Sequence, residues 1–110
     1  MHRDLSYLSD ISESIKLAIN YLEDITFENF EKNTALQDAV IRRIEIIGET
    51  SNRISKAVQD KYDYLPWSEM KGMRNLLIHE YDYIDLREVW NTVKNDLPAL
   101  IKEIDKILNK

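Results

Sequence analysis

DLSYLSDISESIKLAINYLED, residues 4–24, is the stretch that decides the fold class. Its Leu5, Leu8, Ile11, Ile15, Ala18, Ile19 and Leu22 recur at steps of three and four, which lays one apolar stripe along a helix from about Asp4 to Asp24. A helix with one apolar side must bury that side against another element. The chain has only two glycines and two prolines, so long helices should dominate the rest as well.

Working outward, a connection containing Thr26, Phe27 and Phe30 leads to a second helix near Thr34. Thr34-Ala35-Leu36-Gln37 matches a capping box. The second stripe is Leu36, Ala39, Val40, Ile44, Ile47, Ile54 and Val58. Gly48 lies within it at a cost of about 1 kcal/mol against alanine. Close approach of a neighbouring helix is the usual reason for such a glycine. Residues 61–65 read as a tyrosine-rich loop, and Pro66 suits the first turn of a third helix holding Trp67, Met70, Met73, Leu76 and Leu77. Asp85-Leu86-Arg87-Glu88 resembles another N-terminal cap. The helix it opens carries Leu86, Val89, Trp90, Val93, Leu97, Leu100, Ile101, Ile104 and Leu108, and Pro98 should kink or split it. The expected fold is all-α, an antiparallel four- to five-helix bundle forming a single domain over residues 1–110.

The 110 residues are 44% hydrophobic and 32% charged, which suits one compact core. There is no cysteine, so disulfides and thiolate metal sites are excluded. No signal core or membrane span is legible, which makes the cytoplasm the expected location. Net charge is −5, against nucleic-acid binding at first sight, but residues 41–75 carry seven basic groups and five acidic ones. A local patch of that kind on an acidic body can hold a phosphate chain. Ordinary solvated helix faces account for it equally well.

Within and after that patch stands Arg74-Asn75-Leu76-Leu77-Ile78-His79-Glu80-Tyr81. At about 100° per residue, a helix continuing through this stretch sends Met73, Leu76 and Leu77 to the core. Arg74 and His79 then flank the outward face about 140° apart, with Ile78 between them. Two such groups cannot meet by stacking on one helix: the arginine must wrap around, the helix must end near His79, or a second copy must complete the site. Ile78 on the outward face between them is better explained by a partner subunit, so a homodimer is expected. Histidine exchanges protons near neutral pH and arginine offers a fork for phosphate, the minimum for cleaving RNA without metal. Asn75, one turn from His79, is placed to orient it. The plainer alternative is that His79 caps a helix C-terminus. One internal histidine and scattered carboxylates form no metal ligand set, so no metal or other cofactor is expected. Glu49 reads either as an interior carboxylate supporting the site or as a solvent-facing residue. Tyr62, Tyr64 and Tyr83 read either as base-stacking groups or as packing at the bundle's edge.

The arginine, a polar residue, three more residues, histidine, one residue and tyrosine are the hallmark of the HEPN superfamily, and the chain resembles its HepT-like toxins. Ile44-Glu45-Ile46-Ile47-Gly48-Glu49, Leu65-Pro66-Trp67, Gly72-Met73, Val89-Trp90 and Asp96-Leu97-Pro98 carry the resemblance over most of the chain. The resemblance implies a metal-independent endoribonuclease, the toxin of a toxin–antitoxin pair. Arg74 and His79 would be its catalytic residues, in a composite site between two protomers. It further implies an MntA-type nucleotidyltransferase antitoxin that silences the toxin by transferring AMP to Tyr81. A catalytically silent HEPN module that assists a nucleotidyltransferase or binds nucleotide is the alternative.

Overall fold

A computed structural model of the chain describes residues 2–75 and 84–109. The first helix, α1, spans His2–Tyr21 and α2 spans Phe27–Lys32, followed by α3 at Thr34–Ser51. Two short helices come next, α4 at Lys56–Lys61 and α5 at Trp67–Gly72. After residue 84, α6 covers Leu86–Asn91, a widened π-helical stretch covers Thr92–Asp96, and α7 covers Leu97–Leu108. Every regular element among the described residues is helical, so the fold is all-α as expected.

The central helix α1 buries Leu8, Ile11, Ile15, Ala18 and Leu22 against Val40, Ile44 and Ile47 of α3 and Leu97, Leu100 and Ile104 of α7. Three ties fix its directions. At one end Asp4 accepts from Ser55 N at 2.9 Å and Ser55 Oγ at 2.8 Å, so the start of α1 meets the chain just past α3. At the other, Lys94 Nζ donates to Leu22 O at 2.7 Å, while Ser12 Oγ donates to Asp105 Oδ1 at 3.2 Å. Both neighbours therefore run antiparallel to α1. The turn out of α1 uses a left-handed Asp24, φ 59°, a conformation that aspartate tolerates better than most residues.

Several boundaries differ from the sequence reading. Leu5 is 47% exposed and lies off the buried stripe, because Asp4 takes the inward place to reach Ser55. The Thr26–Phe30 connection is itself helical: Thr26 Oγ1 accepts from Asn29 N and so starts α2. There Phe30 is fully buried, in a cluster with Phe27 and Trp90, and Arg87 lies 3.6 Å over the Phe27 ring. The cap of α3 is Asn33 rather than Thr34, and Gln37 Nε2 donates back to the carbonyls of Phe30 and Glu31. The second helix does not run on to Val58. It stops at Ser51, and Ser55 caps a separate α4 by accepting from Val58 N. Ile54 and Val58 are nonetheless buried, since the chain keeps lining the same core across the turn.

Two readings hold in detail. Asp85 caps α6 by accepting from the amides of Arg87 and Glu88. The last helix is split ahead of Pro98, where the π-helical stretch precedes α7. Proline lacks the amide that would bond one turn back, and a widened turn accommodates the gap.

Candidate active site

Arg74 is positioned by α5 and α3. The chain enters α5 through a tight turn in which Leu65 N and Trp67 Nε1 both donate to Tyr62 O, each at 3.0 Å. Pro66 stands at the N-terminal boundary, where its missing amide costs nothing. Trp67, Met70 and Met73 are buried, so Ser68, Lys71, Gly72 and Asn75, at helical spacing, fall together on the outward side. The helix closes at Gly72, with Met73 N donating to Met70 O, and Arg74 lies in the turn beyond it. The one continuous helix assumed for the angular reading of residues 73–81 is therefore interrupted at Met73–Arg74.

Gly48 of α3 sets how closely that turn approaches. A β-carbon built there would lie 2.9 Å from Arg74 N and 3.2 Å from Arg74 Cβ. Such contacts would push the two backbones apart, so the missing side chain lets α3 pack directly against Arg74. This is the close helix approach that the sequence suggested for Gly48. One turn on, Asn52 N and Nδ2 both donate to Gly48 O, which holds the end of α3 beside the same spot.

Around Arg74 opens a polar hollow of about 380 Å³, lined by Asn52, Ser68, Lys71, Gly72, Arg74 and Asn75. Among the described residues its lining contains two cations and no carboxylate. Neither Lys71 nor Arg74 is ion-paired among the described residues, whereas Lys16, Arg42, Lys56 and Lys106 each are. Arg74 is exposed and Lys71 half-buried. The opposite flank of α5 is different. A mainly apolar groove of about 600 Å³ there, lined in part by Leu65, Met73 and Leu100, carries the acidic Glu69, Asp96 and Glu103 and, among the described residues, no cation. Among the described residues charge is thus sorted across α5, and the Arg74 side is the flank that favours an anion.

Of the residues picked from the sequence, Arg74 and Asn75 both line the hollow. His79, Ile78 and Tyr81 lie outside the described residues, as does Tyr83. Glu49 is exposed and is not among the described residues that line the hollow. Tyr62 packs against the core, edge-on to Tyr64 at 6.3 Å, with Lys61 above its ring. Tyr64 itself is 58% exposed. Ser68 and Asn52 were not singled out from the sequence, and Lys71 entered only as one of the seven basic groups of residues 41–75. The spacing of Ser68, Lys71 and Asn75 opposite Trp67, Met70 and Met73 carried a signal for two of them. Nothing local marks Asn52, which arrives from the end of another helix.

An all-α bundle with Arg74 at a hollow whose described lining is cationic fits the HEPN-type resemblance read from the sequence. Residues 11–107 match the family described as "Ribonuclease HepT-like". The chain belongs to this HepT-like ribonuclease family. It is 42% identical over 106 residues to "Probable ribonuclease HepT" of Thermococcus cleftensis, covering 96% of this chain and 94% of that protein. Over 111 residues it is 44% identical to "Gamma-glutamylcyclotransferase and putative RNase MJ0434" of Methanocaldococcus jannaschii. That match takes in 100% of this chain but only 50% of the relative. No solved structure gives a significant match.

Proposed function

We propose that the protein is a metal-independent endoribonuclease and the toxin of a toxin–antitoxin pair, acting as one HEPN-like domain in the cytoplasm. The observation that carries this reading is Arg74: exposed, and, among the described residues, without an ion-pair partner and set in a hollow lined by no carboxylate. A guanidinium left unneutralised in this way is suited to a phosphodiester. Arg74 would bind the scissile phosphate and stabilise the charge that builds on it as the ribose 2′-oxygen attacks phosphorus and the 5′-oxygen leaves. His79 would take the 2′-hydroxyl proton or return one to the leaving oxygen. Asn75 would hold the His79 ring from one turn away. The site would be completed by a second copy in a homodimer. An MntA-type nucleotidyltransferase would silence it by transferring AMP to Tyr81, whose added bulk and negative charge exclude RNA.

Expression of the wild type should arrest growth and cleave RNA, and Arg74→Ala and His79→Ala should each lower cleavage by about a hundredfold or more. Tyr81→Phe should stay active in the presence of the nucleotidyltransferase and ATP. Equal toxicity of the wild type and His79→Ala would remove histidine catalysis. Absence of cleavage by every form would leave a binding module.

A further inference from the structure

Two glycines border Arg74, and the fold accounts for only one. Gly48 is required by the approach of Arg74. Gly72 is not: a β-carbon built on it meets nothing within 4 Å, and neither glycine has a positive φ. It sits in the last turn of α5, where alanine would favour the helix more. It lies on the ridge between the two flanks of α5, and its bare Cα forms part of the hollow's lining, between Lys71 and Arg74, as well as of the groove on the other side. Glycine in such a place allows a ligand to come close to the backbone. The side chains beside it suit an anion: the Lys71 ammonium, the Ser68 hydroxyl and, from α3, Asn52.

We propose that Ser68, Lys71 and Gly72, with Asn52 facing them, form a second phosphate subsite. It seats the phosphate of the nucleotide next to the one bound at Arg74, with the sugar–phosphate chain lying against Gly72. This inference rests on RNA being the ligand of the Arg74 hollow. Its consequence is direction. The RNA strand leaves Arg74 along the outward side of α5 towards Ser68, away from the groove that carries Glu69, Asp96 and Glu103, whose charge repels it. Lys71 contributes binding and registration of the strand, while the reacting atoms stay with Arg74 and His79.

The test is binding of a short single-stranded RNA to the His79→Ala protein, which leaves the probe intact, measured by fluorescence anisotropy across a salt series. Adding Lys71→Gln should weaken binding about tenfold and lower the slope of log K against log salt by about 0.7, one phosphate contact. Gly72→Ala should weaken binding at least about threefold while the melting temperature holds or rises. Lys102→Gln, the same charge change at an exposed residue of α7 outside the hollow, should alter binding by less than about twofold. The subsite is overturned if Lys71→Gln behaves like Lys102→Gln, if Gly72→Ala binds as tightly as its parent, or if the parent does not bind RNA. If these binding effects appear and the wild type nevertheless cleaves no RNA, the ribonuclease reading falls and the subsite stands.

Discussion

At the scale of single residues, Gly48 and Arg74 depend on each other. The arginine reaches the hollow only because α3 presents no side chain where its backbone passes. Gly48→Ala places a methyl 2.9 Å from a main-chain nitrogen, and neither partner is the flexible end of a side chain. The two backbones must separate, at a cost of about 1–3 kcal/mol in spite of alanine's better helix propensity. Urea denaturation should show that loss, and cleavage should fall further than stability as Arg74 shifts. A Gly48→Ala protein of wild-type stability and activity would mean that the contact is not restrictive. The glycine was legible in the sequence as a cost requiring a packing reason. The identity of what it packs against was not, because Arg74 is far from it along the chain.

Among the elements, the joint between α1 and α4 should carry a pH signature. The Asp4 carboxylate is buried and accepts two hydrogen bonds from Ser55, whose hydroxyl also caps α4. The backbone bond first, and then the hydroxyl bond, hold its carboxyl below the usual carboxylate range. A depressed pKa in the folded state means that the ionised form stabilises the fold. That stabilisation is present above the unfolded value, about 3.9, and is lost as pH falls through the lower folded value. Asp4→Asn should therefore be less stable than the wild type at pH 7, and the difference should shrink as pH drops below about 4. Thermal unfolding at several pH values checks this, and a difference independent of pH would show that charge plays no part. The same joint explains why the α3–α4 break escaped the sequence reading. Ile54 and Val58 continue the apolar spacing and are both buried, so periodicity alone sees one helix where a capped turn divides two.

For the molecule as a whole, the sorting of charge across α5 matters more than the net charge of −5. An acidic protein can hold RNA where cations gather apart from carboxylates, as the described residues do on the two flanks of α5. The proposed homodimer belongs to this scale, since Ile78 stands beside His79 in the sequence and would be covered by a second copy. Sedimentation should give a dimer at micromolar concentration, and Ile78→Glu should shift it towards monomer with loss of cleavage. A wild-type protein that sediments only as monomer while still cleaving RNA would refute the composite site.

The sequence by itself determined the helical class, the cap at Asp85, the break ahead of Pro98 and the Arg74-to-Tyr81 motif. Each of these depends on neighbours within about one turn, which is the range over which periodicity, capping and missing amides act. Only the tertiary structure decided that Asp4 rather than Leu5 turns inward, that Gly48 receives Arg74, and that Asn52 joins Ser68 and Lys71 at one hollow. Those outcomes are set by contacts between the ends of different helices. No local pattern encodes them, because they exist only once α1, α3 and α5 have packed.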